Sequence, residues 1–129
     1  MAQLIVLDAS VGIAALSAQD AHHHSAAKAL ESATDADLVL AATSRAEILV
    51  GPYAVGGAPL AAARDFVDGC ETVPVTAAIA DDAAGLRARH RALSLPDAIA
   101  LAVAMLIDAD AIWTFDQRWS GVDHRVIHP

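Results

Sequence analysis

Short, uninterrupted apolar runs punctuate this chain, separated by longer stretches in which apolar and polar positions recur at helical spacing. The first run, LIVLD at residues 4 to 8, stays apolar until it closes on an acid. Such a run marks a strand buried on both faces, as in a parallel sheet, because a half-exposed strand alternates. SVGIAALSAQ then reads as a helix, and a second helical stretch covers about residues 21 to 33. DLVLAAT (37 to 43) repeats the strand signature, and SRAEILVG predicts a helix closed by Gly51 and Pro52. Gly56, Gly57 and Pro59 form the most loop-like segment, and Pro59 to Cys70 is helical in pattern. ETVPV (71 to 75) is a third strand, which Pro74 pushes toward a sheet edge. Residues 76 to 91 predict a helix with a cationic end, RARHR, and SLPDAIALAVAMLI (94 to 107) predicts another. AIWTF (111 to 115) and RVI (125 to 127) supply the fourth and fifth strands. Strands alternating with helices predict an α/β fold, a mostly parallel five-stranded sheet with helices on both faces. No repeat or linker divides it, so residues 1 to 129 form one domain.

That architecture gives four acids a common address. In an open parallel sheet, ligands bind beyond the carboxyl ends of the strands, where strand order reverses. Asp8 closes the first strand and Asp116 follows the fourth, while Glu47 falls in the first turn of the helix leaving the second. The helix headed by Asp97 leads through a short turn into the fourth strand. It therefore runs antiparallel to that strand and starts at the same rim. Each acid alone has a plainer reading. Ser94 with Asp97, and Ser44 with Glu47, have capping-box spacing, and Asp8 and Asp116 each suit an N-cap. The third strand serves as a comparison, for Thr76 follows it with no acid three positions on.

Four carboxylates converging on one cleft repel one another unless a cation neutralises them. With no His or Cys among them they are hard oxygen ligands, suited to Mg²⁺ or Mn²⁺. Such ions activate water and stabilise the leaving oxygen of a phosphodiester. Ser10 and Thr114 stand two residues from Asp8 and Asp116 and are candidates to orient a water or ligand.

The bulk numbers narrow this picture. A chain of 129 residues, 56% hydrophobic, buries a core without staples. Its single cysteine, Cys70, excludes an internal disulfide and fits a reducing cytoplasm. The longest charge-free apolar stretch, Ala98 to Ile107, is too short to span a membrane, so a soluble protein is expected. A net charge of −8 argues against a module that coats nucleic acid by charge neutralisation. It leaves open an acidic pocket whose metal ions meet phosphates, and a basic partner.

Taken together, LIVLDAS, TSRAEILVG, LPDAIALAVA and WTFDQRW resemble, in order and spacing, the four acidic motifs of the PIN-domain ribonucleases. The resemblance is specifically to the VapC-type toxins of toxin–antitoxin pairs, and it covers essentially the whole chain. It implies a sheet in the order 3-2-1-4-5. It also implies an Mg²⁺- or Mn²⁺-dependent endoribonuclease that leaves a 5′-phosphate. By match, Asp8, Glu47, Asp97 and Asp116 are the metal ligands, with Ser10 and Thr114 as helpers behind them. A homodimer is implied, together with a small antitoxin that blocks the acidic cleft. The chain departs from the family at two points. RARHRALSLPD lacks the glycine often found before the third motif, and Val103 stands where a threonine is common.

Other features carry less. His22, His23 and His24 are consecutive, and on a helix they point about 100° apart, so they predict a solvated helix start rather than one ion site. Arg87, Arg89, His90 and Arg91 offset the dipole of a helix C-terminus; contact with RNA or an acidic partner is the alternative for Arg87, Arg89 and Arg91. Trp113 and Trp119 flank Asp116 and read as core rather than as base-stacking platforms. Two other functions remain: a haloacid-dehalogenase-like phosphatase and a non-catalytic PIN-like binding module. The phosphatase wants a second Asp where Ser10 stands and a lysine near the phosphate, and the only lysine is Lys28.

Overall fold

Strand β1 (Leu4–Leu7) lies at the centre of the molecule, where its apolar run belongs. In the computed structural model, which describes residues 2–129, Val6 is buried on one face of the sheet and Ile5 and Leu7 on the other. β1 pairs in parallel with β2 (Asp37–Ala41) on one side and β4 (Ala111–Trp113) on the other. Outside these lie β3 (Glu71–Val73) and β5 (Val126–Ile127), again parallel. The order is β3-β2-β1-β4-β5, parallel throughout. Strand order therefore reverses between β1 and β4. β3 is an edge strand that ends just before Pro74, as a residue without an N–H requires.

Helices cover both faces. α1 (Ala9–Leu16), α3 (Ala42–Val55) and α4 (Gly57–Asp68) bury Val11, Ile48 and Val67 against Ile5, Leu7 and Leu40. On the opposite face α5 (Ala77–Arg89) and α6 (Leu95–Leu106) bring Ile79, Leu86, Leu101 and Val103 onto Val6, Val39 and Ile112. α6 owes its close approach to alanine, since Ala98, Ala100, Ala102 and Ala104 are all buried. A short α2 (His23–Ser32) packs beside α1, tied by His23 Nδ1 to the Ala14 carbonyl at 2.8 Å. Among the described residues, no helix is long and apolar enough to cross a membrane.

Two expectations need correction. α3 does not stop at Gly51 and Pro52 but continues to Val55. Proline costs the helix one hydrogen bond, to the Ile48 carbonyl, but its fixed φ is helical, and only the last turn remains beyond it. The break comes at Gly56, whose φ of 76° favours a residue without a side chain, and α4 begins at once.

The start of α3 also differs. β2 runs into it with no linker, so the helix begins at Ala42 and Ser44 lies inside its first turn. Ser44 is therefore no cap, and Glu47 sits in the second turn rather than the first. The two departures from the family pattern are accommodated simply. No residue between His90 and Ser94 has positive φ, so the turn before α6 needs no glycine. Val103 is simply core.

Candidate active site

Asp8 arrives at the switch point because β1 ends there, and its backbone N–H bonds to the Trp113 carbonyl of β4 at 2.9 Å. It occupies the N-cap position of α1 yet makes no capping bond. Instead, Ser10 Oγ donates to Asp8 Oδ2 at 2.8 Å and Thr114 Oγ1 donates to the same oxygen at 2.9 Å. Both hydroxyls are fixed from behind. Ser10 Oγ accepts the Phe115 N–H at 3.1 Å, and Thr114 Oγ1 accepts the Asp116 N–H at 3.0 Å. The two form struts between β1 and the segment after β4, and neither engages Oδ1. Asp8 is only 5% exposed. Burial pushes its carboxyl above the usual range and the charge of Asp97 adds to this, while the two hydroxyl bonds pull the other way. A buried carboxylate without a cation partner is costly to keep ionised.

Glu47 makes no capping contact, which removes the plainer reading sequence spacing allowed it. Its carboxyl is also pushed up, by burial and by the charges of Asp8 and Asp97. The side chain as a whole is exposed, so the two like charges are the informative cause.

Asp97 does two things. It completes a true capping box, with the Asp97 N–H donating to Ser94 Oγ and the Ser94 N–H donating to Asp97 Oδ2, both at 3.2 Å. At the same time its charge is felt by both Asp8 and Glu47.

Asp116 is different. It caps the single 3₁₀ turn Gln117–Trp119 by accepting the Arg118 N–H at 3.0 Å. Arg118 also grips it with both arms, Nε to Oδ1 at 2.9 Å and Nη2 to Oδ2 at 2.6 Å. These bonds hold the Asp116 carboxyl below its usual range, with smaller help from Arg118 and His128 as charges. The rim thus contains a mutually repelling set, Asp8, Glu47 and Asp97, and a neutralised pair, Asp116 and Arg118. Among the described residues, no three His, Cys, Asp or Glu side chains stand close enough to enclose a metal ion as they are placed. Three of the four acids already accept bonds, Asp8 from Ser10 and Thr114, Asp97 from Ser94 and Asp116 from Arg118. In kind, the donors fit a hard cation: all are carboxylate oxygens, and Asp8 keeps one oxygen unbonded.

Arg87 and Arg89 lie in the last turn of α5 and Arg91 just beyond it, all exposed and without ion pairs among the described residues. Trp119 is fully buried, and Trp113 packs partly buried on the α1 side. His24 is solvated as expected, but His22 lies flat on Phe115, with ring centroids 4.4 Å apart and 4° between planes. Arg118 was not singled out by sequence reasoning. The signal available was its position two residues after an N-capping Asp.

A doubly wound parallel domain with carboxylates at its β1/β4 switch point belongs to the α/β proteins that bind at strand carboxyl ends. The PIN domain family matches residues 5–125, and this chain belongs to it. Three solved structures share the fold. A toxin–antitoxin complex from Klebsiella pneumoniae is 22% identical with a TM-score of 0.81, covering 96% of each chain. The sarcin–ricin loop cleaving toxin VapC20 of Mycobacterium tuberculosis is 23% identical with a TM-score of 0.80, covering 97% of this chain and 99% of its own. FitAcB from Neisseria gonorrhoeae is 19% identical with a TM-score of 0.75, covering 96% of each chain. No curated protein sequence matches the chain.

Proposed function

We propose that this protein is the toxin of a toxin–antitoxin pair, an endoribonuclease that hydrolyses RNA phosphodiester bonds with the help of Mg²⁺ or Mn²⁺. The observation that carries the reading is Asp8, a buried carboxylate braced by Ser10 and Thr114 and repelled by Asp97, with no cationic side chain bonded to it among the described residues. A fold keeps such a group where a ligand compensates it. Family membership and two structural neighbours described as toxins or toxin complexes point the same way.

Asp8 and Asp97, with Glu47, would hold the cation. When bound, it supplies Lewis acidity toward the phosphodiester and lowers the pKa of water. Ser10 and Thr114 keep Asp8 in one orientation by occupying Oδ2, so that Oδ1 faces no competing donor. Hydrolysis breaks the bond from phosphorus to the 3′ oxygen and leaves a 5′-phosphate. The attacking water must lose a proton, and Glu47, the solvent-exposed carboxylate of the three, is the one we assign to take it. The phosphatase reading loses support, because Ser10 donates to Asp8 where a second aspartate is required, and Lys28 lies on α2.

The partner is a small antitoxin that covers the acidic rim, and the protein pairs as a homodimer. An apolar groove lined by Ile13, Leu16, Ile48 and Pro52 adjoins Glu47 and offers the antitoxin a seat next to the cleft. The test is incubation of the purified protein with structured RNAs and Mg²⁺ or Mn²⁺, beside Asp8→Ala. Cleavage should fall by about 10³-fold or more in the variant. Cleavage that persists undiminished in it, or that never appears in the wild type, sinks the reading.

A further inference from the structure

The protein carries eight Lys and Arg against sixteen acids, yet the proposed substrate is a polyanion. Three of these bases are committed elsewhere. Arg45 is bonded to Asp68 and Thr72, Arg64 to the Tyr53 hydroxyl, and Arg125 to Asp108 and Asp123. Lys28 lies on α2, and Arg87 and Arg89 at the end of α5 and Arg91 just beyond it make no ion pair among the described residues. Among the described residues, only Arg118 donates a cationic hydrogen bond to one of the four rim acids, and its charge also interacts with that of Asp97.

We propose that Asp116 is not a fourth metal ligand but the anchor of Arg118, and that Arg118 is the cleft's own contact to an RNA phosphate beside the cation. The inference rests on the nuclease reading above. A guanidinium is planar and presents its donors in a fixed fork, so pinning two nitrogens aims the third. Asp116 takes Nε and Nη2, Nη1 has no partner among the described residues, and the Arg118 side chain is 68% exposed. A cation reaching Asp116 would meet two oxygens that already accept from Arg118 and whose charge is already balanced by it. Formal charge points the same way. Three carboxylates around one divalent ion remain net negative, so a phosphate arriving there needs a further positive group from the protein. The acids divide accordingly: Asp8, Glu47 and Asp97 act on one another, while Arg118 and His128 are the charges that act on Asp116.

Two measurements on folded, full-length variants test this. Mn²⁺ binding is followed by calorimetry for wild type, Asp8→Asn and Asp116→Asn. Affinity should fall about 100-fold in the first variant and stay within about threefold of wild type in the second. Binding of a short fluorescein-labelled single-stranded RNA is then measured in EDTA over a salt series. Arg118→Ala should weaken it about tenfold and lower the salt slope by about one, with partial rescue by Arg118→Lys. Loss of Mn²⁺ in Asp116→Asn equal to that in Asp8→Asn makes Asp116 a ligand and overturns the assignment. RNA affinity and salt slope unmoved by Arg118→Ala overturn the contact. Failure of wild type itself to bind Mn²⁺ or to cleave RNA instead removes the nuclease reading beneath both.

Discussion

The two ends of one parallel sheet treat their aspartates in opposite ways. At the amino end, Arg125 donates Nη2 to Asp108 at 2.8 Å, Nη1 to Asp123 at 3.2 Å and Nε to the Ala109 carbonyl at 3.2 Å. Arg125 and Asp123 are each 15% exposed, so this is a largely enclosed, compensated cluster. At the carboxyl end, Asp8 is buried more deeply and receives two hydroxyls but no cation, with Asp97 and Glu47 near enough to be felt. Both ends are tied by strand pairing, so secondary structure does not explain the contrast. The amino end uses charge to hold the fold. The carboxyl end leaves its charge uncompensated, and the site proposed above is built on that imbalance.

The sharpest way to break this contrast is to remove the compensation where it exists. Arg125→Ala strands Asp123 in a partly buried position and frees the Ala109 carbonyl. Asp108 is 88% exposed, so its share of the loss is small. The variant should lose about 2–3 kcal/mol in urea unfolding, somewhat below the cost of breaking a fully buried pair. A change under about 0.5 kcal/mol in that measurement would mean that the cluster is decoration, as many surface pairs are.

The opposite sign is expected at the other end. A carboxyl whose folded pKa is raised favours the protonated folded state. Its penalty is therefore full at neutral pH and fades as pH falls through the raised pKa toward the unfolded value. Asp8→Asn removes the charge but keeps an oxygen for Ser10 and Thr114. It should raise stability at pH 7 by roughly 0.5–2 kcal/mol while cleavage disappears, the usual trade between stability and a strained site. That advantage should shrink as pH is lowered from neutral toward the range where ordinary carboxyls titrate. Asp116 runs the other way, since its lowered pKa contributes stability that is lost as pH falls through it. Equal stability of Asp8→Asn and wild type across pH 4 to 8 in thermal melts would remove the claim that Asp8 is held at a cost.

Much of this was legible beforehand. Apolar runs marked all five strands, and Asp8 and Asp97 were placed on one rim by strand ends and helix direction alone. What sequence spacing obscured was capping. Ser44 and Glu47 have the same spacing as Ser94 and Asp97, yet only the second pair caps. The difference lies in how the chain enters each helix: β2 runs straight into α3, whereas α6 follows a turn that leaves Ser94 extended. Three-residue spacing records which residues can meet but not where the helix begins. Arg118 was hidden for another reason. Its meaning depends on the orientation of the Asp116 carboxylate, and no pattern of residue types reports that.

The smallest predicted effect isolates the two roles of Asp97. Ser94→Ala breaks one half of the capping box and should cost about 1 kcal/mol of stability, with cleavage within about threefold of wild type. Asp97→Asn keeps an oxygen for the Ser94 N–H and should cost less, but it should abolish cleavage and do something Ser94→Ala cannot. The Asp97 charge is one cause of the raised Glu47 carboxyl, so neutralising it should bring the Glu47 titration, followed by carboxyl carbon NMR, back toward the ordinary range. If that titration is the same in wild type, Ser94→Ala and Asp97→Asn, then Asp97 serves its helix alone. The repelling set then shrinks to Asp8 and Glu47, and the contrast between the two ends of the sheet narrows to a single buried carboxylate.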